Sequence, residues 1–428
     1  MTVLTFPRAV LLLICLVLPT QMALAAEPVR EIIDGVPHVK NGEIPTGGVQ
    51  ALKMKELWRV GGEDDEEIIF GLTPKVCTDV QGRVYVLDSQ LSQVQVFSPD
   101  GEFSHTLFRE GDGPGEVRHP WDMFVLGDGR VGALQEFPGA AILVDGQGTS
   151  AGRIKAGNPG DELFSLIGCQ AQGAHTFMSG LTQSSGGTPG ISHRTFFLSS
   201  FGDDGQEIHR YFESKAIYDF GNFHYSEREH IPTFLFCFDV GADGRSCVAP
   251  DRDAYAIHVF DPAGRPEMVI ERDYEPIDRS DQEYENLRQT FDAGLSTMPL
   301  DYELSIERQA AAIPYFQRGL HMGEGGSIWA LSGQGIRDLP DDVLAVFDVF
   351  DPSGEFVKQV ELHGPGNALK DGIFFAGPDR ILVVKGYMES MMAHFGGGAQ
   401  ATSEDPDAEP YLSVICYQLD SADDSRSD

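Results

Sequence analysis

Thr78-Asp79-Val80-Gln81-Gly82-Arg83 runs into Val84-Tyr85-Val86-Leu87-Asp88. An Asp/Gly turn feeding a β-branched and aromatic run reads as the start of a hairpin. The figure recurs. Leu126-Gly127-Asp128-Gly129-Arg130 leads into Val131-Gly132-Ala133-Leu134, and Gly241-Ala242-Asp243-Gly244-Arg245 into Ser246-Cys247-Val248. Gly323-Glu324-Gly325-Gly326 leads into Ser327-Ile328-Trp329-Ala330-Leu331. Weaker copies stand at Gln170-Ala171-Gln172-Gly173 and Ala376-Gly377-Pro378-Asp379-Arg380, making six in all. Repetition at this spacing is the first thing to settle in a sequence, because it decides the whole architecture.

A second turn follows each of the first five copies: Ser98-Pro99-Asp100-Gly101, Asp145-Gly146-Gln147-Gly148, Gly202-Asp203-Asp204-Gly205, Asp261-Pro262-Ala263-Gly264 and Asp351-Pro352-Ser353-Gly354. Pro presets one turn torsion and Gly accepts the positive one. Two such turns per repeat give four short strands, so the chain is expected to be all-β, a six-bladed β-propeller. The sixth repeat lacks a last strand, since everything after residue 420 is polar. Residues 51–60, Ala-Leu-Lys-Met-Lys-Glu-Leu-Trp-Arg-Val, supply a strand ahead of the first repeat. Closure by this N-terminal strand would cover the open sheet edge. The propeller then occupies 49–420, with a leader at 26–48 and an acidic tail at 421–428.

The linker Gly111-Asp112-Gly113-Pro114-Gly115-Glu116-Val117-Arg118-His119-Pro120 resembles the G-x-G-P-G-E-F-x-x-P element of the NHL-repeat-like six-bladed β-propellers of secreted bacterial proteins, with Val117 where the family has Phe. Echoes occur at Gly157-Asn158-Pro159-Gly160 and His363-Gly364-Pro365-Gly366-Asn367. The resemblance spans nearly the whole mature chain. It implies the fold but not the activity, because such propellers include lactonases and lyases beside pure binding modules.

Glycine numbers 49 among 428 residues, an excess that these turns explain. Acidic residues outnumber basic ones 66 to 31, for a net charge of −35. Such a chain repels phosphate backbones, which excludes nucleic acid as a partner, while cations are attracted. Residues 1–25 read as a signal peptide: Arg8, a short apolar run, then Ala23-Leu24-Ala25 before the cut. The expected product is exported, periplasmic or extracellular, without a membrane span, monomeric, and charged −36. Five scattered cysteines remain after export. That is no disulfide framework; Cys237 and Cys247 flank one turn and could pair, but buried free thiols in strands are the favoured reading.

The long insertions, at 180–192, 333–342 and 387–410, and the links 214–232 and 271–314, all fall on one face of the expected propeller. Long loops on a rigid scaffold carry function. The longest link holds a helical insertion at about 277–313. Ser280-Asp281-Gln282-Glu283 reads as a capping box, with an apolar stripe of Tyr284, Leu287 and Phe291. A second helix is expected over 301–313, stopped by Pro314. The rim candidates are Asp88, Arg118, His119, Glu136, Glu229, His230, Asp251, Arg252 and His321. Imidazole and carboxylate converging there could hold a divalent cation. No nucleophile elbow, zincin helix, Walker loop or dinucleotide fingerprint is present in the sequence. The expected function is a binding module for a small molecule, glycan, peptide or protein on the loop-rich face. The alternative is a metal-assisted, lactonase-like hydrolase or lyase at the central channel.

Overall fold

The computed structural model describes residues 27–421 apart from 64, 66, 74, 156–162, 173–174, 203 and 396–411. The expected signal peptide, the tail beyond Ser421 and the Gly157-Asn158-Pro159-Gly160 echo lie outside the described residues.

The Asp/Gly turns form because the aspartate side chain substitutes for a backbone acceptor. Asp79 Oδ1 accepts from the N–H groups of Gln81 and Arg83, both at 2.9 Å. Asp145, Asp261 and Asp351 bind their own turns in the same way at 2.9–3.0 Å. Part of the acidity of the chain is therefore turn chemistry.

Between these turns the strands sort into antiparallel four-stranded units. Unit one is Val76–Thr78, Val84–Asp88, Gln93–Phe97 and Phe103–Leu107. Unit two is Pro120–Val125, Val131–Gln135, Ala140–Val144 and Ser150–Ile154. Unit three is Leu163–Gln172, His175–Ser185, Ile191–Phe201 and Glu207–Asp219. Unit four is Phe238–Val240, Ser246–Val248, Ala256–Phe260 and Pro266–Arg272. Unit five is Leu320–Met322, Ile328–Leu331, Val343–Phe350 and Phe356–His363. Unit six is Gly372–Phe375, Arg380–Lys385 and Ser413–Ser421, completed by the N-terminal strand Val49–Gly61. That strand runs antiparallel to Ser413–Ser421 and, at its start, parallel to Phe356–His363. It covers two sheet edges at once.

Units pack face to face, so a strand such as Val84–Asp88 is buried at every position. First strands touch in chain order: unit one against two, two against three, three against four, four against five, and six against one. His321 of unit five stacks on Phe375 of unit six, ring centres 4.0 Å apart and 5° from parallel. The second-turn glycines repeat this order. Gly148 backs onto Leu107, Gly205 onto the backbone of Lys155, Gly264 onto His209 and Gly354 onto Met268, each at the outermost strand of the preceding unit. Gly101 of unit one backs onto Trp58 in the N-terminal strand, whose indole N–H donates to the Pro99 carbonyl at 3.0 Å. The units thus follow one another in a propeller-like cycle.

Two expectations need correction or extension, and the free-thiol reading holds. Residues 301–313 are not a helix. Tyr302–Ser305 is a strand that pairs in parallel with Phe223–Ser226, a tertiary contact that overrides local propensity. Within the leader, Val29–Ile33 and Val36–Asn41 form a hairpin, and Val36–Asn41 pairs in parallel with Pro266–Arg272 of unit four. Asn41 fixes it, donating to the Gly354 carbonyl at 2.9 Å and accepting from the Phe356 N–H at 2.8 Å. Cys237 and Cys247 are both buried, free thiols rather than a disulfide.

Helices enter on the links and in the insertion of unit six. Beyond the single turn α1 (Glu227–His230), α2 (Asp281–Ser296) carries the capping box and buries Leu287, Phe291 and Leu295. The third, α3 (Tyr387–Phe395), lies in the insertion of unit six and packs against α2. Among the described residues no helix is long and apolar enough to cross a membrane.

Candidate functional site

The rim candidates are mostly engaged with neighbours of their own. Asp88 is buried and closes a turn, accepting from Gly71 at 2.7 Å and Leu91 at 3.0 Å. Arg118 is exposed and holds Asp112 of its own linker through two 2.8 Å bonds. His119 is exposed, with a left-handed φ of +42°. Glu136 lies half-buried beside Ser165. Glu229 is exposed and His230 buried, both in α1. They precede the first strand of unit four, with the short 3-10 turn Thr233–Leu235 between. Asp251 is exposed and caps Asp253 and Ala254. Arg252 is buried against Glu227, and His321 Nδ1 sits 3.1 Å from Asp239. Among the described residues no three His, Cys, Asp or Glu side chains gather as a metal site.

A different cluster occupies the centre. Asp122, in the first strand of unit two, is fully buried. Its Oδ1 accepts from Met123 N at 2.8 Å and faces Lys75 Nζ at 3.7 Å. Its Oδ2 accepts from Cys169 N at 2.8 Å and from Arg318 Nη1 at 2.9 Å. Lys75 immediately precedes the first strand of unit one, Cys169 lies in that of unit three, and Arg318 precedes that of unit five. Groups at the first strands of units one, two, three and five, the one from unit three a backbone N–H, meet where those strands meet. The Lys75 side chain is 4% exposed and the Arg318 side chain 9%. Arg318 also carries a left-handed φ of +52°, a costly conformation for a long side chain and one held by its surroundings.

Four donors surround Asp122, so its carboxylate is an anchor. Burial alone would lower the Arg318 pKa, but Asp122 outweighs it and the guanidinium is held charged. Its Nε and Nη2 are buried and make no hydrogen bond among the described residues. Burial pushes the Cys169 thiol well above its usual range, with Asp122 adding to the effect, and pushes Cys77 and Cys237 up to about 12. These thiols are not nucleophiles at neutral pH.

The α3 helix covers this cluster. Tyr387 donates to the Phe316 carbonyl at 3.3 Å, and Ser390 Oγ accepts from Thr73 N at 2.9 Å. Beside it, the link before unit five is pinned by Glu227, 1% exposed. Glu227 takes Arg279 through bonds of 2.7 and 2.8 Å, Tyr315 at 2.7 Å and Glu307 N at 2.9 Å. Burial raises its pKa, but Arg279 outweighs that and holds it below the usual carboxylate value. A cleft of about 250 Å³ lined by Gly62, Asp65, Ile68, Phe70 and Leu412 shares no residue with the central cluster.

Neither Lys75, Asp122 nor Arg318 was singled out by sequence reasoning. The available signal was position: each lies in or just before the first strand of a unit, where His119 and His321 were chosen instead.

No family model matches the chain, and no curated protein matches it in sequence. Among solved structures it is similar to a member of the DUF4221 family from Bacteroides vulgatus (8% identity, TM-score 0.47, covering 87% of this chain and 99% of that one). It is similar also to the calcium-binding protein regucalcin from Agrobacterium tumefaciens (10%, 0.39, 87% and 96%). A third is virginiamycin B lyase from Staphylococcus aureus (12%, 0.37, 78% and 81%). At these scores the likeness assigns neither activity nor ligand.

Proposed function

We propose that the chain is an exported six-bladed β-propeller of NHL-like type that acts as a monomeric binding module. Its ligand seat lies at the centre of the loop-rich face, under α3. One observation carries the reading: a charged side chain, Arg318, 9% exposed, with two buried donor nitrogens left open at the point where the units converge. Buried polar groups are nearly always satisfied, and those left open mark places where a ligand or ordered water belongs. The side chains around it are occupied or held in unreactive states. Asp122 is surrounded by donors, the Tyr387 phenol is raised mainly by burial, and the thiols are protonated.

The test is titration of the purified protein with small acids, sugars and peptides, followed by mass spectrometry of each bound compound after long incubation. Saturable binding with the compound recovered unchanged supports the module. Conversion of a bound compound would replace it with the hydrolase or lyase reading.

A further inference from the structure

The open edge of Arg318 has a specific shape. Nε and Nη2 lie on one side of the guanidinium and present two parallel N–H bonds, which match the two oxygens of a carboxylate. This protein uses that same edge repeatedly. Arg59 holds Glu56 by Nε and Nη2 at 3.3 and 3.0 Å. Arg210 holds Glu207 at 2.7 and 3.0 Å, Arg228 holds Glu307 at 3.2 Å twice, and Arg288 holds Glu285 at 3.0 and 2.9 Å. In each of these the arginine is more exposed than Arg318. At Arg318 the third donor nitrogen, Nη1, is taken by Asp122, and Nε and Nη2 are buried with no acceptor at hydrogen-bond distance among the described residues, the Tyr387 phenol lying beside the guanidinium.

Charge points the same way. Lys75 and Arg318 contribute two positive charges and Asp122 one negative, all nearly out of water. The uncompensated charge is one. A buried charge without a partner is costly, so a monoanion at the open edge relieves it, whereas a doubly charged group would overshoot.

We propose that the central seat recognises the carboxylate of a small-molecule monoacid, bound side-on by Arg318 Nε and Nη2. The assignment rests on the binding-module reading above and names the ligand class for that site. Asp122 orients the guanidinium and fixes which edge is presented. Lys75 supplies the second charge.

The experiment compares monocarboxylates of increasing size, aliphatic and aromatic, with their neutral amides and with inorganic phosphate, by calorimetric titration of the whole mature protein. One or more acids should bind, with the matching amide at least about tenfold weaker and phosphate weaker than the acid, since loss of a charge-assisted bidentate pair is a large effect. Arg318→Lys keeps the charge and a comparable backbone preference but loses the fork. It should weaken the acid by about tenfold or more while leaving the far-ultraviolet spectrum unchanged. The acid–amide comparison uses only the wild-type protein, so it stands if the variant fails to fold. Equal binding of acid and amide, tighter binding of phosphate, or no binding of any acid would overturn the carboxylate assignment. Binding of a neutral sugar or peptide in that event would leave the binding module standing. An inert protein towards the sugars, peptides and acids alike would remove both.

Discussion

Arg318 reaches Asp122 at 2.9 Å across 196 residues of sequence, from the unit-five link to the first strand of unit two. One ion pair thereby ties two units that are three apart in the cycle. With Lys75 it makes the centre of the molecule a charged, buried knot rather than an apolar plug. Asp122→Asn would leave two buried cations without their anion. The expected loss is about 3–5 kcal/mol, the range for breaking one side of a buried pair. Urea unfolding measures it, and a loss under about 1 kcal/mol would mean that water already shields the knot.

The closure of the cycle is testable at a single glycine. A Cβ at Gly101 would meet the Trp58 ring at 2.6 Å, and its φ is +85°. Gly129 has a φ of +87° with nothing within 4 Å. Gly129→Ala should therefore show the torsional cost alone, about 1 kcal/mol, and Gly101→Ala about 1–3 kcal/mol more, because Trp58 must move. Equal losses in thermal melts would show that Trp58 does not seal unit six to unit one.

Deletion of residues 49–60 removes the strand shared by Ser413–Ser421 and Phe356–His363. Two bare sheet edges should produce aggregation or unfolding, read by light scattering and size exclusion. A soluble monomer with an unchanged melting temperature would contradict the closure.

Two steps of acid destabilisation are expected. His230 is buried among Tyr218 and Tyr225, its Nδ1 paired with Ser226 and its Nε2 without a partner among the described residues. Burial lowers its pKa against the smaller opposing effect of the Ser226 bond and Glu229, with Arg194 and His224 also near. A lowered folded value means that stability is present above the unfolded pKa, about 6.5, and is lost as pH falls below it. Glu227, also lowered, contributes above about 4.3 and is lost below that. Melting temperature against pH should show both declines. His230→Phe should flatten the first and Glu227→Gln the second. Unchanged profiles would contradict these protonation states.

The parts of this architecture written in consecutive residues were legible. Asp79 to Gly82 announces a turn because its hydrogen bonds are local, and Ser280 with Glu283 announces a helix start for the same reason. The strand at 51–60 was legible by its alternation and by the missing partner in unit six. The strand at Tyr302–Ser305 was not, because only its pairing with Phe223–Ser226, far away in sequence, makes it extended. The central knot was illegible for a stronger reason. Lys75, Asp122 and Arg318 have no shared motif, and their meeting depends on how three units are rotated about one axis. His119 precedes one first strand and His321 lies in another, but the His119 side chain is exposed while its backbone N–H donates to Ser92, and His321 turns to Asp239 and Phe375.

The central claim is that ligand is received where the first strands converge beneath α3. Hydrogen exchange read by mass spectrometry, with and without the tightest compound from the titrations, locates the seat directly. Slowed exchange should concentrate at residues 73–78, 120–123, 316–322 and 387–392. Saturable binding that leaves these four segments unchanged, with protection instead at the cleft around Asp65 and Phe70 or on the 29–41 hairpin, would contradict it.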